Sequence, residues 1–130
     1  KDILDKDTNG SIIIANEGQG KYIESYIKEN YAGKVLSRNW GNEYESIIEL
    51  FTPKTDKGYA LEYVANYLGY KREDIIAFGD GHNDIEMIQF AGLGVVMNNA
   101  HEELKEVADI ILEETNKEDG VIKFLKYYLK

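Results

Sequence analysis

Phe78-Gly79-Asp80-Gly81-His82-Asn83-Asp84-Ile85-Glu86-Met87 joins a short apolar run to a short amphipathic one. Before it, Asp74-Ile75-Ile76-Ala77-Phe78 has the length and composition of a strand. After it, Ile85, Met87, Ile88 and Ala91 give the mixed apolar pattern of a short buried helix. The stretch therefore reads as a strand, a tight turn and a helix start. Gly79 and Gly81 let the backbone turn sharply and come close to a ligand. Asp80 then stands at the carboxyl end of the strand and Asp84 in the first turn of the helix, with Asn83 between them near the free N–H groups of the helix start. In an open parallel sheet, ligands bind outside the carboxyl ends of the strands. Two carboxylates there make an oxygen-rich site for a hard cation such as Mg²⁺, and a helix N-terminus favours an anion beside it. A metal next to a phosphate is the economical reading. On Asp80 and Asp84 alone, an aspartate that only complements the helix dipole is an equal account. The two glycines and Asn83 make the string specific.

The chain has 130 residues, enough for one compact domain, with a net charge of −9. Such acidity argues against binding nucleic acid, whose phosphates need a basic surface. With 43% hydrophobic residues the sequence is that of a globular protein rather than a disordered one. There is no cysteine, which excludes thiol catalysis, disulfides and zinc–thiolate sites and fits the cytoplasm. No apolar run approaches membrane-spanning length. The chain opens on Lys1 rather than Met, and that start reads as an internal cut in something longer.

Residues 1–10 read as a polar lead-in. Asp5-Lys6-Asp7-Thr8-Asn9-Gly10 opens like a calcium loop, but the closing position falls on Asn16, which has no carboxylate. An acidic Asn-Gly turn before a strand is the better account. A strand is expected over 11–15 and a helix over 18–31, where Tyr22, Ile23, Tyr26, Ile27 and Tyr31 recur on one face. The tyrosine stripe reads as packing. Residues 34–40 and 45–51 read as a hairpin around Gly41-Asn42, with Arg38 and Trp40 near its tip as weak candidates for touching a substrate.

Thr52-Pro53-Lys54 carries the only proline and marks a boundary. Beyond it helices and strands alternate, which implies right-handed crossovers and a parallel sheet. Thr55 or Asp56 can cap a helix over 57–68, with Leu61, Val64, Ala65 and Leu68 inward and Gly69 closing it. Further strands are expected over 93–97 and 109–112, and helices over 101–107 and 119–129.

Three blocks resemble the haloacid dehalogenase superfamily of phosphatases, in its Cof-type, class IIB branch. Lys57-Gly58 opening a helix resembles the family's third motif. Gly79 to Met87 resembles the fourth nearly letter for letter. Ala91 to Ala100, Ala108-Asp109 and Asp119-Gly120-Val121 resemble the family's tail. The resemblance covers 51–129 well, and 11–50 by element order alone. It implies an α/β fold: the C-terminal half of a Rossmann-like core over 53–130, preceded over 1–52 by part of an α+β cap of strand, helix and hairpin.

The resemblance also implies a mechanism: Mg²⁺-dependent hydrolysis of small phosphorylated metabolites, such as sugar phosphates, through an aspartyl-phosphate. Asp80 would be a metal ligand, and Asp84 a second ligand or the holder of a metal-bound water. Lys57 would neutralise phosphate and nucleophile and is expected to reach towards Asp80. Asn83 would hydrogen-bond the phosphate. His82 takes a variable position in the family, and His101 reads as a helix-start residue without chemistry. The family's first motif, Asp-x-Asp-Gly-Thr after a strand, is absent, and so is the Ser or Thr of the second. The chain therefore reads as the C-terminal half of such an enzyme, inactive alone, whose partners would be the N-terminal half and, through a bare sheet edge, other copies. The P-type cation pumps carry a similar Gly-Asp-Gly-x-Asn-Asp string, but Asp119-Gly120-Val121 and the lack of a membrane span speak against them. A non-catalytic module that binds metal or a partner is the alternative of another class.

Overall fold

The computed structural model describes residues 8, 10–16, 18–40 and 45–130. Asp5, Asp7 and the Gly41-Asn42 turn lie outside the described residues. The chain divides into two compact units, residues 1–55 and 56–130.

In the first unit, β1 (Gly10–Asn16) and β2 (Leu36–Asn39) flank β3 (Glu45–Phe51) in an antiparallel sheet of order β1-β3-β2. The register runs from Gly10↔Phe51 to Asn16↔Glu45 on one side and from Leu36↔Phe51 to Asn39↔Ile48 on the other. The β2–β3 pairing is the expected hairpin. Helix α1 (Gly20–Asn30) packs on one face of the sheet, where Ile27 and Ile48 are buried. It comes close because Gly20 has no side chain: a Cβ there would lie 2.6 Å from both Asn39 Nδ2 and Ser46 Oγ. The N–H of Gly20 donates instead to Ser46 Oγ at 3.1 Å. Strand alternation turns Ile12 and Ile14 to the opposite face, and both are largely exposed. Within the α1 stripe Ile27 is buried while Tyr22, Tyr26 and Tyr31 stay exposed at its flank.

The second unit alternates as expected. Helix α2 (Lys57–Leu68) starts at Asp56, whose carboxylate accepts the N–H of Tyr59 at 2.7 Å, and stops at Gly69, which takes the left-handed conformation (φ 77°). Strands β4 (Ile76–Gly79), β5 (Leu93–Val96) and β6 (Ile110–Ile111) form a parallel sheet of order β4-β5-β6. Helices α3 (Ile85–Phe90) and α4 (Glu102–Lys105) contribute to a core of Ala77, Ile88, Ala91, Val96, Ala100 and Leu104. A second core holds Val95, Met97 and Leu112 with Phe78 and Phe124. Phe124 belongs to α5 (Gly120–Tyr128) and meets Phe78 edge-on at 5.6 Å. Helices thus cover both faces, the layering of a doubly wound sheet.

Two details depart from the expected pattern. Val64 and Leu68 are half or more exposed. Helix α2 meets α3 through Gly58 and buries Ala65, so the flank carrying Val64 and Leu68 turns away from that contact. Strand β6 is only two residues long, although backbone bonds to β5 continue on either side of it, from the Asp109 N–H to the Gly94 carbonyl at 2.9 Å and from the Leu112 N–H to the Val96 carbonyl at 2.8 Å; the Asp109 carboxylate also accepts the N–H of Gly94 at 2.7 Å.

Candidate functional site

Lys57, Asp80, Asn83 and Asp84 all lie in the second unit, the last three at the carboxyl end of β4 and Lys57 at the start of α2. Gly79 ends that strand, and a Cβ on it would stand 2.7 Å from the Cβ of Asp84. Only glycine lets the turn fold back this tightly. Residues His82–Asp84 form a 3₁₀ turn that runs into α3, so Asp84 caps the helix entrance rather than lying within its first turn.

Asp84 is buried, 5% exposed. Its Oδ2 accepts the N–H groups of Asp80 at 3.0 Å and Gly81 at 3.1 Å. Its Oδ1 accepts from the Lys57 ammonium. Burial by itself raises this carboxyl's pKa. The Lys57 hydrogen bond and the two N–H groups outweigh it and hold the group below the usual aspartate range. The expected reach of Lys57 towards Asp80 is thus corrected in detail: its hydrogen-bond partner is Asp84. Gly58 explains why. A Cβ there would lie 2.6 Å from the Glu86 carbonyl, so α2 settles onto the start of α3 and brings Lys57 over Asp84. Lys57 nevertheless keeps 47% of its side chain exposed.

Asp80 has a different environment. Its Oδ2 accepts from Asn116 Nδ2 at 2.6 Å. Phe78, Asp80, Met97, Asn116, Asp119 and Ile122 line a shallow cavity of about 280 Å³ beside it. Asn83 folds its side chain over Gly81, where a Cβ would lie 2.9 Å from Asn83 Oδ1. His82 is occupied elsewhere: Nδ1 lies 3.2 Å from Glu103 Oε2, and the ring lies 4.0 Å from that of His101, tilted by 34°. Arg38 and Trp40 belong to the first unit. The Arg38 guanidinium lies 4.9 Å from the centre of the Phe51 ring, and Trp40 Nε1 donates to Glu49 at 2.9 Å.

The donor set suits a hard cation. A carboxylate offers about four lone-pair sites. Asp84 spends three on Lys57 and two backbone N–H groups, which leaves one for a metal-bound water. Asp80 spends one, on Asn116. Among the described residues no three His, Asp or Glu side chains converge as a ready-made cage. Such an arrangement suits a cation bound through one or two carboxylates with water completing its shell.

Asn116 was not legible as a site residue in the sequence. It lies 36 positions from Asp80, and no periodicity or motif spacing links the two.

The family profile described as haloacid dehalogenase-like hydrolase matches residues 1–125. The 5-amino-6-(5-phospho-D-ribitylamino)uracil phosphatase YitU of Bacillus subtilis is 38% identical over 125 residues, which is 96% of this chain and 46% of that protein. Among solved structures, a haloacid dehalogenase-like hydrolase from Bacteroides thetaiotaomicron matches with a TM-score of 0.70 at 35% identity, over 94% of this chain and 44% of that one. A phosphatase of the haloalkanoate superfamily from the same organism gives a TM-score of 0.75 at 27% identity, over 95% and 42%. The chain spans less than half the length of these relatives.

Proposed function

The chain belongs to the Cof-type branch of the haloacid dehalogenase-like hydrolases, and on that premise we propose that the whole protein is a Mg²⁺-dependent phosphatase of small phosphorylated metabolites such as sugar phosphates. In this reading residues 53–130 are the C-terminal half of the core and residues 1–52 part of a cap. A cytoplasmic setting goes with it: the sequence has no cysteine, and among the described residues no helix is long and apolar enough to cross a membrane.

The reaction has two displacements. An aspartate carboxylate attacks phosphorus, the P–O bond to the alcohol breaks, and the departing alkoxide takes a proton from solvent water, to which the water of the second step returns one. Water then attacks the aspartyl-phosphate, orthophosphate departs and the carboxylate is restored. This chain has no Asp-x-Asp-Gly-Thr string, so the attacking aspartate belongs to the other half of the protein. The residues at hand supply charge and position, on which phosphoryl transfer chiefly depends. Asp80 would hold Mg²⁺ directly, and Asp84 through a water. Bound there, Mg²⁺ offsets the negative charge of phosphate and nucleophile. Lys57, pinned to Asp84, presents its open side to the phosphate. Asn83 donates an amide N–H to a phosphate oxygen.

The observation that carries this reading is the ammonium of the half-exposed Lys57 side chain held on the buried Asp84, next to Asp80 at the strand end. The test assays the full-length protein on an aryl phosphate. Hydrolysis is expected with Mg²⁺, and none after chelation or with Asp80→Asn. Turnover that survives both would overturn the assignment.

A further inference from the structure

Asn116 sits in the loop between β6 and α5 and is held on both sides. Its own N–H donates to Oδ1 of Asn99 at 3.0 Å. Before it, the Glu114 carbonyl accepts the N–H of Asn98 at 2.9 Å. After it, the Glu118 carboxylate accepts the N–H and the hydroxyl of Thr115 at 2.9 and 2.8 Å. The loop therefore aims the Asn116 amide at Oδ2 of Asp80 rather than leaving it to sample solvent, although Asn116 itself is exposed and outside both cores.

The two carboxylates of the site thus have partners of different kinds. The charge of Asp84 is met by an ammonium, whereas Asp80 receives a neutral amide. An amide donor fixes the orientation of a carboxylate without cancelling its charge. Left alone, the Asp80 side chain would have to be ordered each time a cation bound, at an entropic cost. Outer partners of this sort orient metal-binding carboxylates, and losing one weakens metal binding roughly 10- to 100-fold.

Building on the reading of Asp80 as the Mg²⁺ carboxylate, we propose that Asn116, itself held by Asn99, is a positioning residue that presents Asp80 to the cation. Orientation matters more for Mg²⁺ than for Ca²⁺, because Mg²⁺ demands near-octahedral geometry while Ca²⁺ accepts looser shells. Loss of Asn116 should therefore change selectivity as well as affinity.

The test titrates the full-length protein with Mg²⁺ alone, and separately with Ca²⁺ alone, while following the amide shifts of residues 79–85. Asn116→Ala is expected to weaken Mg²⁺ binding about 10-fold and Ca²⁺ binding by less, with circular dichroism and melting temperature unchanged. Asn99→Ala leaves the Asn116 amide in place but frees its backbone, and is expected to give a smaller loss of the same kind. Asp80→Asn separates the two ways of failing. If it abolishes the response and Asn116→Ala changes nothing, the positioning role is overturned and the metal reading stands. If the response survives Asp80→Asn, or the unaltered protein gives none, the metal reading falls and the positioning role with it. Equal losses for Mg²⁺ and Ca²⁺, or a loss that tracks a lower melting temperature, would make Asn116 merely structural and overturn the proposal.

Discussion

The Lys57 ammonium donates to Oδ1 of Asp84, while Oδ2 of the same carboxylate accepts the N–H groups of Asp80 and Gly81. One buried carboxylate therefore ties the start of α2 to the turn after β4. Removing the ammonium has two separable consequences. In the full-length protein Lys57→Ala should lower turnover by roughly 10²- to 10³-fold, the scale of losing one positioned charge donor. In the chain itself it should cost about 1–3 kcal/mol, because Asp84 stays buried with one oxygen unmet. Initial rates read the first and a urea midpoint the second. Lys57→Ala with unchanged kcat would show that this cation does not face the phosphate.

The same carboxylate sets a pH dependence. Burial opposes ionisation of Asp84, but Lys57 and the two N–H groups win and depress its folded pKa below the ordinary aspartate value. The unfolded chain then binds a proton before the folded one does. The stabilisation is fully present above the ordinary aspartate value and is lost as pH falls through the lower folded one. Urea midpoints measured with chelator from about pH 5 to about pH 2.5 should fall more steeply for the native chain than for Asp84→Asn, which lacks the titrating group. Parallel curves would remove Asp84 from the acid transition.

Much of this arrangement could be read in the sequence, because it is local. Asp56 and Gly69 announce the ends of α2, and Phe78 to Met87 spell out strand, turn and helix within ten consecutive residues. What could not be read depends on tertiary placement. Lys57 chooses Asp84 over Asp80 because Gly58 sets the depth at which α2 meets α3. Asn116 reaches Asp80 only because β6 and its following loop return to the same sheet end. Val64 and Leu68 have the spacing of buried residues, but spacing cannot tell which of two apolar flanks a neighbour will cover.

Metal binding should register as stability. A ligand that binds only the folded state stabilises it by RT ln(1 + L/Kd), where L is the free ligand concentration. Millimolar Mg²⁺ is expected to raise the melting temperature of the chain by about 1–3 °C, and excess chelator should reverse the shift. Asp80→Asn should abolish the gain, and Asp84→Asn should reduce it less, since its link to the metal runs through water. An equal gain in the native chain and in Asp80→Asn would place the cation elsewhere.

Strand β4 is an outer strand of its sheet: the order is β4-β5-β6, and among the described residues β5 is its one neighbour. Ile76 to Gly79 therefore present a row of backbone groups without strand partners on the other side, next to Asp80. An uncovered edge of this kind is a template for pairing with another strand. The matched relatives are more than twice as long as their shared region, and in our reading their other half supplies both the strand that pairs here and the attacking aspartate. The chain alone should then be inactive on an aryl phosphate with Mg²⁺ and should associate with itself. Light scattering should show dimers or larger species, and adding the N-terminal half in trans should restore both a defined particle and turnover. Ala77→Pro would not separate the causes, since Ala77 is buried. Ile76→Lys places a charge on a half-buried edge position instead, and should reduce association while leaving the Mg²⁺ response of residues 79–85 in place. A monodisperse, active monomer of this chain alone would sink the idea, and would mean that a carboxylate within it serves as the nucleophile.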